Sequence, residues 1–82
     1  MASGVSPFQK GRQYRVRKSF VSCITADQFE EGQILEFRDC VYSLYDGFTR
    51  FIFIKISDEK RLCWEIWDDE CLDTWLELFE AV

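Results

Sequence analysis

The stretch LCWEIWDDECLDTWLELFEAV, residues 62–82, decides how this chain is expected to fold. Its first part alternates Leu62, Trp64 and Ile66 with other residues, the pattern of a strand that buries one face. Its second part places apolar residues at the i, i+3, i+4 and i+7 spacing of an amphipathic helix. These helix positions are Leu72, Trp75, Leu76 and Phe79. The stretch therefore predicts a last strand followed directly by a helix.

The predicted helix needs a start and a surface to cover. Asp68 or Asp69 is expected to cap it, because acids stabilise the positive end of a helix. Upstream, residues 51–56 are apolar in both alternation phases, which predicts a strand buried on two sides. We expect the helix stripe to cover the outer face of Phe51 and Phe53. The alternative is a free docking helix, but about 12–14 helical residues are marginal without packing.

Four further strands are predicted upstream of this stretch. In residues 14–20, apolar side chains alternate with basic or polar ones, with Lys18 breaking the apolar side, and a second strand begins at Ile34. Between them, residues 25–32 predict a loop, with Phe29 tucked onto the core. A third strand covers residues 41–45, and Asp46-Gly47 is a two-residue hairpin signal before a fourth strand from Phe48.

The predicted elements make one small domain. Five short antiparallel strands with a C-terminal helix predict a mainly β (α+β) fold, a strongly curved or partly closed SH3-like barrel over residues 13–82. Residues 1–12 are small, polar and punctuated by Pro and Gly, so they predict a flexible leader, from which Phe8 can fold back on the domain. Eight Phe, three Trp and three Tyr supply a dense core for an 82-residue chain.

The order of several short motifs resembles a family of small uncharacterised bacterial domains. The motifs are Tyr14-Arg15-Val16, Phe20, Phe29 with Gly32, Leu35-Glu36-Phe37, Tyr42-Ser43-Leu44-Tyr45-Asp46-Gly47, and Trp64 with Asp68-Asp69-Glu70. The most specific of them are the Tyr-Asp-Gly hairpin and the Asp-Asp-Glu segment. The resemblance covers about residues 13 to 80. It implies a stand-alone bacterial domain and carries no activity.

Several kinds of chemistry lack their residues in this sequence. The chain has no histidine, which removes the usual general base and the commonest metal ligand, and its four glycines stand singly, without a phosphate-binding loop. The four cysteines have no Cys-x-x-Cys pair and are expected to be reduced thiols. Asp68, Asp69, Glu70 and Asp73 lack EF-hand spacing. We therefore expect no enzymatic activity, no cofactor and no metal.

The charge of the chain is unevenly distributed. The net charge is −5, yet residues 1–18 hold five basic residues and no acidic one, whereas the C-terminal part is strongly acidic. Acidic side chains on a small rigid fold can occupy a basic cleft on another protein, as immunity proteins and nucleic-acid-mimicking inhibitors do. The candidate partner-binding residues are Trp67, Asp68, Asp69, Glu70 and Asp73. Trp67 either anchors the partner or closes the end of the barrel.

The basic first strand offers the alternative function. A basic surface beside an aromatic residue, here Tyr14, is how small barrels hold single-stranded nucleic acid. The candidate nucleic-acid-binding residues are Arg12, Arg15, Arg17 and Lys18. Net charge −5 and a sequence pI near 4.6 weigh against this hypothesis, and an exposed strand face explains the same pattern. Without a membrane span or a secretory signal, we expect a cytoplasmic monomer or weak homodimer.

Overall fold

A computed structural model describes residues 6–70 and 72–82 of the chain. Seven strands, one 3-10 helix and one α-helix are formed. They are β1 (Gln13–Val16), β2 (Phe20–Val21), β3 (Gln28–Phe29), β4 (Ile34–Ser43), β5 (Phe48–Lys55), β6 (Arg61–Trp67), the 3-10 helix Leu72–Thr74, α1 (Trp75–Leu78) and β7 (Phe79–Ala81). The mainly β prediction is confirmed.

Five of the strands form one antiparallel sheet in the order β6-β5-β4-β1-β7, and β2 pairs with β3 in a second, two-stranded sheet. Within the described ranges, β6 and β7 lie at opposite edges and do not pair, so the large sheet is not a closed barrel. Its curvature instead brings one face around a core of aromatic rings.

Strand β4 combines the second and third predicted strands. Its pairing with β5 shifts by one residue between Phe37 and Asp39, which marks a β-bulge at Arg38. A bulge inserts one residue, so the side chains that face the core change phase there. Leu35 and Phe37 are buried before the bulge, whereas Cys40 packs against the core after it. The polar residues Arg38 and Asp39 interrupt the apolar alternation at the bulge, but the strand continues through them.

The β4–β5 hairpin has a longer loop than its sequence predicted. A two-residue Asp46-Gly47 turn would pair Tyr45 with Phe48, but Ser43 pairs with Phe48, and residues 44–47 form the loop. Gly47 takes a φ of +73° and donates its N–H to the Ser43 carbonyl at 2.9 Å. The glycine still supplies the left-handed conformation that closes the hairpin.

The long C-terminal helix was a wrong prediction. Only Trp75–Leu78 is α-helical, its N-cap is Thr74, and Asp68 and Asp69 lie in a turn before it. The chain then extends at Phe79, because the edge of β1 accepts it as a partner strand and Phe79 is buried against the core. Strand pairing supplies the backbone hydrogen bonds that a continued helix would have made internally.

The expected cover over β5 is formed only in part, by Phe79 of β7 rather than by a continuous helix. Phe51 and Phe53 both face the core, where the Phe79 ring stacks on Phe53 with 5.1 Å between ring centroids. On the opposite face of β5, Ile52 and Ile54 are only half-buried. The strand buried on both faces is β6, since Leu62, Trp64 and Ile66 face the core while Cys63 and Glu65 are buried on the other side.

Phe8 lies at the centre of the core. The leader predicted over residues 1–12 falls partly outside the described residues, but Phe8 is described and is 4% exposed. Its ring contacts seven others at centroid distances of 5.0 to 6.1 Å: those of Tyr14, Phe37, Phe51, Phe53, Trp64, Trp75 and Phe79. The N–H of Gly11 donates to the Phe37 carbonyl at 2.8 Å, which ties this segment to β4.

The packing of α1 leads to a prediction about stability. Trp75 is half-buried and contacts Phe8, so Trp75→Ala should lower the free energy of unfolding by about 2–3 kcal/mol, less than a fully buried Trp would cost. The matched variant Leu76→Ala removes a side chain that is 50% exposed and should cost less than about 1 kcal/mol. Urea unfolding measures both. If both variants instead lost the same large amount of unfolding free energy, Trp75 and Leu76 would belong to one continuous buried helix stripe.

Candidate functional site

The acidic turn after β6 packs against the β4–β5 hairpin loop. The N–H of Asp68 donates to the Gly47 carbonyl at 2.8 Å. Glu70 closes the turn, because its carboxylate Oε1 accepts the Trp67 N–H at 2.9 Å and its own N–H donates to the Trp67 carbonyl at 3.0 Å. We call residues 67–70 together with the loop residues 44–47 the acidic corner. It lies at one end of the large sheet.

Trp67 is held in place while part of its indole faces solvent. It is 40% exposed, and its ring meets Phe48 edge to face at 5.8 Å. Beside it, an open depression with a volume of about 470 Å³ is lined by Gly47, Trp67, Asp68 and Asp69. Aromatic side chains with one apolar face and one wet edge are enriched where proteins bind each other.

The carboxylate of Asp68 links the turn to β4. Its Oδ2 accepts a hydrogen bond from the Tyr42 hydroxyl at 2.8 Å. This hydrogen bond raises the pKa of the Tyr42 phenol, and burial and the negative charge of Asp68 act in the same direction. Tyr42 therefore stays a neutral donor that orients the Asp68 carboxylate.

Two exposed apolar residues of the acidic corner were missed by sequence reasoning. Leu44 is 74% exposed and Tyr45 is 99% exposed, both in the hairpin loop. The sequence pattern had assigned them to a strand, and only the four-residue loop turns them outwards. Exposed Tyr and Trp side chains on two loops that contact each other are typical of an interface rather than of an inert surface.

Asp73 is separated from the other predicted partner-binding residues. Trp67, Asp68, Asp69 and Glu70 share one turn, whereas Asp73 lies exposed in the 3-10 helix, beyond residue 71. In the part of the chain that the structure describes, no hydrogen bond or ion pair joins Asp73 to that turn. The structure thus brings together four of the five predicted partner-binding residues.

Three of the four predicted nucleic-acid-binding residues contact the C-terminal segment. Arg15 forms an ion pair with Glu80 at 2.6 Å, and Lys18 forms one with Glu77 at 3.7 Å. The Arg17 guanidinium donates to the carbonyl of Leu76, in the first turn of α1, at 2.6 Å. Arg12 is exposed. Neighbouring carboxylates thus offset part of the positive charge of this segment.

The most densely hydrogen-bonded side chain is Glu65, on β6. Its side chain is fully buried, and Arg50 donates its Nε to Oε2 at 2.9 Å. The other oxygen, Oε1, accepts from the Ser22 hydroxyl, the Ile24 N–H and both the N–H and the hydroxyl of Thr25. The carboxylate thus fixes the loop of residues 22–27 on β6.

The hydrogen bonds around Glu65 keep it ionised. Burial, the largest single influence, raises the pKa of this carboxyl. The hydrogen-bond donors at Ser22, Thr25, Arg50 and Ile24 lower the pKa, and their combined effect is larger than that of burial. The pKa of Glu65 therefore lies below its ordinary value of 4.5. Sequence reasoning did not single out Glu65. A carboxylate in an otherwise apolar strand was the available signal.

The described cysteines are free thiols. They are Cys23, which is exposed, Cys40, which is half-buried, and Cys63, which is buried. Burial raises the pKa of the Cys23 thiol, and the nearby carboxylates of Glu65 and Glu70 raise it further. Because the thiolate is the nucleophilic form, a raised pKa makes Cys23 a poor nucleophile. Cys71 lies outside the described residues.

Comparison with solved structures finds the same fold in a bacterial protein. An integron cassette protein from the mobile metagenome of Vibrio cholerae matches with a TM-score of 0.75 and 16% sequence identity, over 93% of this chain and 87% of that chain. At this identity the likeness shows the fold alone. No family model and no curated protein matches the chain. The resemblance to a family of small bacterial domains therefore stays a prediction.

The class defined so far is a small, mainly β domain with an aromatic core and an acidic corner. Among the described residues, no helix is long and apolar enough to cross a membrane. Over the same residues, no group of three or more Cys, Asp or Glu side chains is arranged to hold a metal ion.

Proposed function

We propose that this chain is a non-enzymatic protein–protein interaction domain of the SH3-like type, which binds a basic surface of another protein through the acidic corner. The observation that carries the proposal is the exposure of Trp67 and Tyr45 among carboxylates at one end of the sheet. The aromatic rings provide apolar contact area, and the carboxylates provide charge.

The charges of the acidic corner determine the kind of partner. Asp46, Asp68, Asp69 and Glu70 are exposed within two loops that touch each other through the Asp68–Gly47 hydrogen bond. Such a cluster attracts Lys and Arg side chains and speeds association at low salt. This is the electrostatic pattern of inhibitor or immunity-type proteins, which fill basic clefts.

The acidic corner is also ordered before it binds. Trp67 packs on Phe48, Asp68 accepts from Tyr42, and Glu70 closes its own turn. Side chains that are already fixed lose less conformational entropy on association, so more of the contact energy contributes to affinity.

Nucleic-acid binding through β1 is the competing function and has weaker support. Arg15 and Lys18 form ion pairs with Glu80 and Glu77, and Arg17 contacts the carbonyl of Leu76. A nucleic acid would have to displace these contacts and approach a chain of net charge −5.

Charge-neutralising variants test the proposed interface. We expect Asp68→Asn with Asp69→Asn, and separately Trp67→Ala, to weaken partner binding by at least about tenfold, which is about 1.4 kcal/mol. The matched control is Glu30→Gln with Glu31→Gln, which removes two exposed charges elsewhere and should change binding less than about threefold. The measurement is capture from a nuclease-treated extract of the native cells, followed by titration of the purified partner at several salt concentrations.

Only a difference between the variants counts in favour of the proposal. A partner captured equally well by the parent, both corner variants and the control would contradict it. Binding that disappears on nuclease treatment, and that Arg12→Gln with Lys18→Gln abolishes, would instead support nucleic-acid binding. Thermal unfolding of each variant checks that it is folded.

A further inference from the structure

Part of β4 has a strand neighbour on one side only. On the β1 side, pairing covers Ile34, Leu35 and Glu36, and the last backbone contacts join Phe37 to residues 11 and 12. On the β5 side, pairing continues from Asp39 to Ser43. Within the described ranges, residues 39–43 therefore form an open sheet edge that ends at the acidic corner.

Strand geometry shows which backbone groups lie on this edge. Ser43 pairs with Phe48 of β5, and its carbonyl points to that side, where it accepts the N–H of the loop residue Gly47 at 2.9 Å. Successive residues of a strand direct their backbone groups to opposite sides, so the groups of Tyr42 and Cys40 point to the open edge. The Cys40 N–H donates to Asp39 Oδ1 at 2.8 Å. This leaves the N–H and carbonyl of Tyr42 and the carbonyl of Cys40 available there.

The β6 edge of the sheet is protected in a way that the open part of β4 is not. On β6, the Cys63 N–H donates to Asp27, the Glu65 N–H to Ser22 and the Trp67 N–H to Glu70. Proteins cover long exposed edges because unpaired strands attract other chains. At the acidic corner, the β6 edge is therefore covered, while the β4 edge is open to pairing with another chain.

We propose that the partner contributes an extended, basic segment that adds as an antiparallel strand to the open edge of β4 at residues 40–42 and continues into the acidic corner. This inference rests on the proposed function and specifies how the partner binds. Tyr42 joins the two parts, because its backbone lies on the edge and its hydroxyl contacts Asp68. Strand addition of this kind gives affinity through main-chain hydrogen bonds and specificity through alternate side chains.

The side chains beside the edge specify the pattern of the added strand. The residue opposite Tyr42 shares the face of the sheet on which the Tyr42 hydroxyl contacts Asp68. A long basic side chain there, Lys or Arg, can extend along Tyr42 towards this carboxylate. The next residue lies beside Val41, which is 50% exposed, and should be apolar. A second copy of this chain fits less well, because two molecules of net charge −5 repel each other.

A defined peptide tests the strand addition. The probe is a fluorescein-labelled eight-residue peptide of alternating Lys and Val, and fluorescence anisotropy measures its affinity for the full chain. N-methylation of the Lys amides, which face β4 in the proposed register, should weaken binding by at least about tenfold. N-methylation of the Val amides, which face away, is the matched control and should change binding less than about threefold.

Substitutions in β4 test the same geometry from the protein side. Tyr42→Pro removes the edge N–H and should weaken peptide binding by at least about tenfold while the domain stays folded, since Pro is tolerated on an open edge. Tyr42→Phe keeps that N–H and loses only the hydroxyl contact with Asp68, so it should weaken peptide binding clearly less than Tyr42→Pro does. Val41→Pro removes an N–H directed at β5 and should lower the melting temperature by on the order of 10 °C.

Amide exchange gives a readout that does not depend on any variant. In the free chain the Tyr42 amide should exchange rapidly, and saturating peptide should slow it by at least about tenfold. Slow exchange in the free chain would show that the edge is already covered and would overturn the proposal. So would a parent chain that fails to bind the peptide at about 1 mM, or equal affinities for the two methylated peptides.

The outcomes separate this inference from the function on which it rests. If Asp68→Asn with Asp69→Asn weakens peptide binding while Tyr42→Pro does not, the acidic corner binds by charge alone and the strand addition is wrong. If neither change weakens binding of the peptide or of the captured partner, the acidic corner is not the interface and both proposals fail.

Discussion

Phe8→Ala should lower the free energy of unfolding by about 3–5 kcal/mol, the range for large buried aromatic side chains. The physical reason is the position of Phe8, whose ring is 4% exposed and contacts seven other aromatic rings. Removing it leaves a cavity that rings held by different strands cannot easily fill. Urea unfolding of the parent and the variant measures the loss.

Two further variants control for the size and the location of this change. Tyr45→Ala truncates an aromatic ring that is 99% exposed and should change stability by less than about 0.5 kcal/mol. Phe8→Leu keeps much of the buried volume and should cost about half as much as alanine. If Phe8→Ala proved as mild as Tyr45→Ala, the N-terminal segment would not belong to the core.

Glu65→Ala should lower the free energy of unfolding by about 3 kcal/mol. The side chain is fully buried, and its removal leaves donors from Ser22, Ile24 and Thr25 without their acceptor, as well as the Arg50 charge without its partner. Losing one member of a buried ion pair is among the most damaging single changes. Glu65→Gln keeps an acceptor oxygen of nearly the same shape and should cost less than alanine.

Acid should weaken the parent more than Glu65→Gln. The pKa of Glu65 is lower in the folded chain than its ordinary value of 4.5, so the ionised carboxylate stabilises the fold above about pH 4.5. That contribution is lost as the pH falls below 4.5 and through the folded pKa. Chemical unfolding of both proteins between pH 7 and pH 3 gives their stability difference. A difference that does not change with pH would contradict the role of Glu65 as a buried carboxylate.

The local sequence pattern predicted the strands that bury one face or that consist mainly of apolar residues. Alternation identified the core-facing residues of β1 and β6. Phe29 is buried as expected, but it lies in β3 rather than in the predicted loop, because Phe20 and Val21 pair with it and Gln28. The alternation failed to predict β4 as one strand, because the bulge at Arg38 changes which side chains face the core within that strand. A bulge depends on the partner strand, which local spacing does not describe.

The C-terminal residues show why helical spacing misled. Trp75 and Phe79 both pack against the core, as the predicted stripe required, but they do so from two kinds of backbone. A free helix of this length has little stability of its own, whereas β1 offers an unpaired edge that binds Phe79–Ala81. The tertiary partner therefore decided the secondary structure.

The candidate site was predicted in part. The carboxylates and Trp67 were identified from sequence because they follow the last predicted strand without a basic residue. The contribution of Leu44 and Tyr45 depends on the length of the hairpin loop, and the contact between Tyr42 and Asp68 joins residues that are 26 positions apart.

The sequence by itself determined a dense aromatic core, the strand faces that bury it, and a chemistry without histidine or a phosphate-binding loop. These properties follow from composition and from period-two spacing, which are local. Tertiary structure alone decided that Phe8 fills the centre of the core, that Glu65 organises the loop of residues 22–27, and that the chain ends in a strand. Each depends on partners distant in sequence, because burial and hydrogen bonding are satisfied by whichever groups the fold brings together.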